Sequence, residues 1–412
     1  MKDTLGVLLA GGAGERLYPL TRDRAKPAVT FGGIYRIIDI TLSNCINSDL
    51  RHVYILTQYK ALSLNRHIRE GWNIVAREMG EFIEILPPMK RVSENWYMGT
   101  ADAVYQNIYS IGSEQPKHVL ILSGDHIYKM DYGRMLAAHV ESRADLTIAC
   151  IEVPIDEAKS FGVMEINEDK RIVAFTEKPE NPTPMPGNPD RALASMGVYV
   201  FNARFLYEQL VRDSIDNRSS HDFGKDIIPH CMKRYRVCAH SFTESCVGDA
   251  GKPQYWRDVG TIDAYWEANM DLTHVTPDLN LYDEDWPIWT WQEQLPPAKF
   301  VFDSDSRRGF AVDSLVAGGS VISGAEVRRS MLFSRTWVHS YAKVSDSVIL
   351  PEVDIGRGAV LHRCVVDKRC RIPDGLQIGV NPDEDRKRFH VSAGGITLVT
   401  PDMLGQHVHF IR

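Results

Sequence analysis

Over residues 299–412 the chain repeats itself every 17 positions, and no other feature restricts its fold as strongly. Apolar residues fall at Phe310, Val327, Val344, Leu361 and Ile378. A second series runs Leu315, Leu332, Ile349 and Val366, and a third Val321, Val338, Ile355 and Ile372. Interleaved, the three series step by 5, 6 and 6 residues. Three short strands per turn, each pointing one aliphatic side chain inward, is what a triangular parallel β-helix requires. Its coils stack about 4.8 Å apart around a continuous aliphatic core. Small or polar residues such as Gly324-Ala325, Ser345-Asp346 and Gly356-Arg357-Gly358 suit the corners. The terminal coils and flat faces of such a solenoid commonly become subunit contacts.

Residues 1–276 have a different pattern. Gly6–Ala10, His52–Thr57, His118–Leu122, Leu146–Glu152, Gly162–Ile166, Ile172–Glu177 and Ser195–Phe201 read as strands. Helical patterns intervene at Arg36–Asn47, Leu62–Glu70, Thr100–Ile111, Tyr132–Arg143 and Arg204–Val211. Strands alternating with helices predict an α/β domain with a mainly parallel sheet, whose ligands bind beyond the carboxyl ends of the strands. Between the two regions, residues 277–298 carry four prolines (277, 287, 296, 297) and three tryptophans (286, 289, 291). Proline predicts a linker, and tryptophan predicts that it packs against something.

The charge balance narrows the function. With 47 Lys+Arg against 54 Asp+Glu, the formal charge of −7 argues against a general nucleic-acid binder. Any anion site must be local. No run of apolar residues approaches the roughly 18 that span a membrane, and the strand-like Leu5–Ala10 follows Met1 too closely for a signal peptide. The seven cysteines form no CxxC pair; Cys364 and Cys370, six apart, are the pair that could be neighbours, and the expectation is reduced, buried thiols. These features predict a soluble, cytoplasmic protein.

Four segments carry chemistry. In Leu9-Ala10-Gly11-Gly12-Ala13-Gly14-Glu15-Arg16-Leu17 a strand runs into a glycine-rich turn, which brings backbone N–H groups close to a phosphate chain. No Gly-Lys-Ser/Thr follows, and Leu17 stands where a dinucleotide fingerprint needs glycine. A structural turn is the alternative, but Arg16, Arg24 and Lys26 just beyond are spaced to hold a triphosphate. In Leu120-Ile121-Leu122-Ser123-Gly124-Asp125-His126 an apolar strand ends in Gly-Asp, where a carboxylate can ligate phosphate-bound Mg²⁺ or merely cap a helix. Asp258, in Trp256-Arg257-Asp258-Val259-Gly260-Thr261, can supply a second carboxylate to that ion, or else N-cap the helix from Thr261. In Ala174-Phe175-Thr176-Glu177-Lys178-Pro179, Pro179 ends the strand and leaves Glu177-Lys178 at its tip, either to meet hydroxyls and a monoester phosphate or as a surface ion pair. The fourteen histidines show no zinc-like spacing; His126 borders the candidate site without an assigned role.

Together GGAGERLYPLTRDRAKPAV (11–29), WYMGTADAV (96–104), SGDHIY (123–128), FTEKP (175–179), ASMGVYVF (194–201), SHDFGKD (220–226) and YWRDVGT (255–261) resemble bacterial ADP-glucose pyrophosphorylase, the glucose-1-phosphate adenylyltransferase of glycogen synthesis. The resemblance runs from Leu5 into the solenoid. It implies a Rossmann-like nucleotidyltransferase domain (1–276), the Pro/Trp-rich connection (277–298) and a left-handed parallel β-helix (299–412) for oligomerisation and regulation. Leu9, Ala10, Gly11, Gly12, Gly14, Tyr97, Gly99, Thr100 and Ala101 would then bind nucleotide, and Arg16, Lys26 and Asp125 would be catalytic. Gly162, Glu177, Lys178 and Ser195 would bind glucose 1-phosphate, and Asp125 and Asp258 would hold Mg²⁺. ATP, glucose 1-phosphate, a homotetramer and small-molecule allosteric effectors are the implied partners, with no nucleic acid and no membrane. The implied reaction is in-line attack of the sugar phosphate on the α-phosphorus of ATP. Its nucleophile is already an anion and needs no general base.

Two positions depart from the family pattern. Glu15 stands where Ser or Thr is usual, and Asp23, between Arg22 and Arg24, stands where many members place a basic residue for a phosphorylated-sugar activator. Three rival readings are another NDP-sugar pyrophosphorylase, a catalytically silent regulatory subunit, and a β-helix acyltransferase using His339 or His362. The presence of Arg16, Lys26, Asp125, Lys178 and Asp258 speaks against the silent subunit.

Overall fold

The computed structural model describes residues 1–406 apart from 13, 59, 89–95, 249–253 and 305, so Ala13 of the glycine-rich turn lies outside the described residues. The chain separates into two compact units. The first comprises Met1–Gly12, Ile40–Gly124 and Lys129–Asp249; the second comprises Ala13–Asp39, Asp125–Tyr128 and Ala250–Arg412. Among the described residues no helix is long and apolar enough to cross a membrane.

The first unit is built on a nine-stranded sheet. Its strands are β1 (Thr4–Leu9), β2 (His52–Leu56), β3 (Phe82–Leu86), β4 (His118–Ser123), β5 (Leu146–Pro154), β6 (Gly162–Ile166), β7 (Ile172–Glu177), β8 (Arg191–Asn202) and β9 (Val237–Ser241). The order is β7-β6-β8-β4-β1-β2-β3, with β5 pairing β8 and β9. Strands β4, β1, β2 and β3 run parallel, as do β5 and β9, while β8 is antiparallel to β4 and β5. Strand β1 is a run of Leu5, Gly6, Val7 and Leu8 because helices cover both faces of a parallel sheet, and those leucines and the valine are buried. Leu9 lies beside Leu56 and Ser123, so the glycine-rich turn and the Ser123-Gly124 turn leave adjacent strands at the same edge.

The strands named from sequence are all present. Two more, β3 and β9, were not expected: β3 is a short edge strand, and β9 carries Cys238 and His240 among its apolar residues. The helix expected over Thr100–Ile111 is broken in two, Thr100–Gln106 and Ile108–Ser113. Asn107 leaves the helical region at the break (φ −104°, ψ 9°) and turns its amide to the Ala103 carbonyl and the Tyr97 hydroxyl.

The second unit contains the solenoid, made of sheets of five, five and six strands, all parallel except for His390–Val391, which closes the six-stranded sheet antiparallel to Thr397–Val399. Val338 pairs with Ile355 and Ile355 with Ile372, Val344 with Leu361 and Leu361 with Ile378, and Ile349 with Val366. These residues form one buried aliphatic core. The first coil corrects the periodicity. Ala311, Val316 and Ile322, rather than Phe310, Leu315 and Val321, pair with Val327, Leu332 and Val338. The step from Ile322 to Val327 is one residue shorter than its counterpart from Val338 to Val344, which shifts every earlier inward position by one. The last sheet also breaks the frame, because Val366 pairs with Val399. The insertion between them holds a helix, Pro382–Arg388, capped by the Asn381 side chain on the Asp383 and Glu384 amides.

Corners at Asp313, Arg329, Asp346 and Arg363 take left-handed φ of 49°, 40°, 49° and 45°. Arg329 forms a two-point ion pair with Asp346 in the next coil. Beside them Ser314, Ser330, Ser347 and Cys364 stack, the Ser314, Ser330 and Ser347 hydroxyls accepting the Ser330, Ser347 and Cys364 amides at 3.1, 3.2 and 3.3 Å. All seven cysteines are free thiols. The Pro/Trp-rich connection is held down by polar ties: Thr290 donates to Asp39 at 2.6 Å, Glu293 pairs with Arg335, and Pro296 O accepts the Gly319 amide at 2.7 Å. Trp289 and Trp291 are 47% and 40% exposed, so each ring is partly covered.

Candidate functional site

In the second unit a two-stranded ladder decides the chemistry. His126–Tyr128 pairs antiparallel with Trp256–Asp258, placing Asp258 opposite His126 and therefore next to Asp125. A short 3-10 turn, Lys26–Ala28, with Pro27 inside it, delivers Lys26 to the same point. The Lys26 ammonium lies 2.7 Å from Asp258 Oδ1 and 3.1 Å from Asp125 Oδ2, with its side chain only 7% exposed. Arg16 reaches Asp258 Oδ2 at 3.0 Å from the solvent side. Residues 242 and 232 positions apart in sequence thus meet in one cluster.

Burial alone would depress the Lys26 ammonium, but Asp125 and Asp258 outweigh it and hold it above its ordinary range. Burial would likewise raise the Asp258 carboxyl; the Lys26 charge, followed by His126, outweighs burial and the repulsion from Asp125, and the group is held down. Asp125, His126 and Asp258 each offer a ligand atom within 4.8 Å of the others. Two carboxylates are hard oxygen donors of the kind that Mg²⁺ accepts, and a cation already sits between them as Lys26 Nζ, so the donor set fits a divalent ion. His126 lies 3.5 Å from Asp125 with its ring edge-on to Trp256 at 5.1 Å. The N-cap of the helix Ile262–Asp271 is Thr261, which accepts the Ala264 amide, so capping does not account for Asp258.

The glycine-rich turn is shaped by Gly14, whose φ of 64° is left-handed and whose missing Cβ would stand 3.0 Å from Thr21 and 3.2 Å from Lys26. Its carbonyl accepts the Thr21 hydroxyl at 2.8 Å. Glu15 is exposed and forms no ion pair among the described residues. Arg24 corrects the sequence reading. It does not join Arg16 and Lys26, but is buried, donates to Leu20 O at 2.8 Å and pairs with Asp367 of the solenoid. Arg22 pairs with Asp23 at 3.0 Å and with Asp402.

The first unit assembles the other predicted residues. Gly162 opens β6 in register with Glu177 at the end of β7, and Ala194, just before Ser195, pairs with Val163. A Cβ on Gly162 would lie 2.8 Å from Glu177 Oε2, so only glycine lets that carboxylate stand there. Ser195 pairs with Cys150 at the point where a bulge begins that closes again at Tyr199, and its hydroxyl accepts the Gly197 amide at 3.3 Å. Burial raises the Glu177 carboxyl, Asp222 adds to the rise, and Lys178 and Lys225 oppose it. Lys178 takes a left-handed φ of 48°, leaving its ammonium exposed and 3.9 Å from Glu177. Gly11 packs on Gln58, whose amide donates to Tyr97 O at 3.3 Å. Ala10 N donates to Leu56 O, and Gly12 has open space around its Cα.

The residues that sequence reading missed lie in SHDFGKD. The His221 carbonyl accepts the amides of Ala101 and Asp102 at 2.8 and 3.1 Å, and a Cβ on Gly99 would collide with it at 2.3 Å. Asp222 accepts the Thr100 hydroxyl at 2.9 Å, and Thr100 in turn accepts the Phe223 amide at 3.0 Å. Its other oxygen accepts the amides of Gly224 and Lys225. An Asp three residues ahead of Lys225 is a legible capping signal.

Residues 5–275 match the family model for nucleotidyl transferases, and residues 296–399 match that for GlmU-like, C-terminal hexapeptide domains. The chain is 63% identical over 406 residues to a glucose-1-phosphate adenylyltransferase of Dechloromonas aromatica (strain RCB), covering 98% of this chain and 92% of that one. It is 61% identical to those of Methylobacillus flagellatus and Nitrosomonas europaea, over 411 and 413 residues, covering all of this chain and 96% and 95% of theirs.

Proposed function

The chain belongs to the glucose-1-phosphate adenylyltransferases, and on that premise we propose how its residues divide the work. The enzyme transfers AMP from ATP to α-D-glucose 1-phosphate, giving ADP-glucose and pyrophosphate and so supplying the glucosyl donor for glycogen synthesis. The observation that carries the assignment of roles is the buried Lys26 ammonium set between Asp125 and Asp258, with Arg16 at its rim.

Lys26 and Arg16 neutralise charge that develops on the departing pyrophosphate. Leu9, Ala10, Gly11, Gly12 and Gly14 offer the phosphates an unobstructed backbone, and Tyr97, Gly99, Thr100 and Ala101 take the nucleoside. Lys178, whose exposed ammonium is open to a monoester phosphate, holds glucose 1-phosphate; Glu177, Ser195 and Gly162 shape the place for its hydroxyls. Holding two anions in line supplies most of the rate, because the phosphate nucleophile needs no deprotonation. The family uses a divalent cation, and we assign Mg²⁺ to Asp125 and Asp258, where it would supply positive charge to the phosphates.

The catalytic division is assigned to residues 1–276, the connection to 277–298 and the left-handed β-helix, as the site of subunit contact and effector control, to 299–412. Exposed Trp337, Tyr341 and Phe300 on the solenoid support subunit contacts there and a homotetramer. Seven free thiols support work in the cytoplasm.

The test is pyrophosphate release by the purified protein. Release should require both glucose 1-phosphate and Mg²⁺ and should prefer ATP; equal turnover with UTP would overturn the ADP-glucose assignment.

A further inference from the structure

A buried, hydrogen-bonded carboxylate–imidazole pair holds the turn on which both predicted binding sites of the first unit depend. Asp213 lies in the helix Ala203–Ser214, its side chain 5% exposed. One of its oxygens accepts the Ser219 hydroxyl at 2.8 Å, and the other lies 2.9 Å from His221 Nδ1. Ser219 also accepts the His221 amide at 2.9 Å. The carboxylate thus fixes the turn Ser219–Asp222 from below, and His221 is held in the left-handed region (φ 55°), a conformation that a non-glycine residue keeps only when its surroundings impose it.

That turn faces two ways. Toward the nucleotide residues, His221 O takes the Ala101 and Asp102 amides, and Asp222 takes the Thr100 hydroxyl. Toward the sugar residues, Gly224 stands so close to Glu177 that a Cβ there would lie 2.4 Å from Oε2. Neither side can shift without the other, because Asp222 is bonded at once to Thr100 and to the Gly224 amide.

We propose that Asp213, acting through His221 and Ser219, is a positioning residue that sets the nucleotide-binding helix start and Glu177 in register with each other. It is none of the residues assigned to either substrate. The inference rests on the site assignments above and adds that a single buried carboxylate serves both substrates. Removing its charge loosens the turn and weakens the binding of both, while leaving Lys26, Asp125 and Asp258 in place. Loss of one hydrogen bond to a charged group sets the scale at roughly tenfold or more in affinity.

The experiment compares the full-length wild type with Asp213→Asn. The variant should raise the KM for ATP and the KM for glucose 1-phosphate each about tenfold, with kcat within about twofold. Amide exchange at Ala101 and Asp102 should accelerate while that of the solenoid strands is unchanged. If Asp213→Asn does not fold, Ser219→Ala removes one bond to the same carboxylate and should raise both KM values about threefold. Asp213→Glu, which keeps the charge, should recover part of the loss. Unchanged KM values, or a rise confined to one substrate, would overturn the inference. Failure of the wild type to form ADP-glucose would instead overturn the functional reading on which it rests.

Discussion

Arg24→Met separates a structural from a phosphate-binding role for that cation. The Arg24 and Asp367 side chains are 5% and 12% exposed, and among the described residues the one other donor to the Asp367 carboxylate is the Lys368 amide, at 2.8 Å. Methionine preserves much of the volume but strands the carboxylate, and breaking a buried pair in this way costs about 3–5 kcal/mol. The Leu20 carbonyl loses its donor as well. One neighbour offsets part of the loss. Burial, reinforced by Arg24, pushes the Lys368 ammonium down to about 8, while Asp367 pulls it up. Without Arg24 it charges more readily and can turn to Asp367, so the expected cost lies near the lower figure. Urea unfolding should show a loss of about 3 kcal/mol, and the double variant Arg24→Met/Asp367→Leu should recover most of it, since replacing both partners leaves no uncompensated charge. Under native conditions the KM for ATP should stay within about twofold. A tenfold rise in that KM with unchanged stability would refute the argument and return Arg24 to the triphosphate site.

Lys178→Ala should mainly raise the KM for glucose 1-phosphate, whereas Asp125→Ala should depress kcat; steady-state kinetics with each substrate varied separates the two. Gly99→Ala places a methyl 2.3 and 2.5 Å from the carbonyls of His221 and Ser220, both backbone atoms, and should cost about 1–3 kcal/mol in thermal unfolding. Lys368 is lowered from 10.5 to about 8 in the folded chain, so between those values the unfolded state binds a proton that the folded state lacks. Stability from this group therefore rises with pH from about 8 to 10.5, and Lys368→Met should flatten that rise in pH-dependent unfolding curves.

The solenoid was legible in sequence because each coil spends a fixed number of residues and turns one aliphatic side chain inward per side. What failed was local. A corner shortened by one residue between Ile322 and Val327 moves the earlier inward set by one place without disturbing the apolar composition, so Phe310, Leu315 and Val321 fit the frame yet sit beside the true core positions. The insertion that carries Pro382–Arg388 was hidden for another reason: its helix is almost wholly charged, and only Asp385 is buried, accepting the Gly379 amide and the Thr397 hydroxyl. At the site, residue types and turn chemistry identified Lys26, Asp125 and Asp258. Partnership was not legible. Arg24 looked equivalent to Arg16 in spacing, but its partner lies 343 positions away, and no pattern in the loop itself reveals that contact. Asp213 was invisible for the same reason, since it is one acidic residue at the end of an ordinary amphipathic helix.

The pairing also explains how an acidic chain, formally −7, handles anionic substrates. Arg16 and Lys26 bring two positive charges to the cluster, and Asp125 and Asp258 bring two negative ones, so the cluster as folded is neutral. Unit charges about 4 Å apart at the effective dielectric of a protein surface interact by about 4 kcal/mol, so each carboxylate cancels most of what its cation could offer a phosphate. A triphosphate and a sugar phosphate together would therefore meet no net attraction from these four groups alone. The carboxylates make sense if a divalent cation takes over their charge and releases Lys26 and Arg16 toward the phosphates. A chain meant to bind these anions with lysine and arginine only would have no use for Asp258, which is half-buried and held ionised at the cost of its own desolvation.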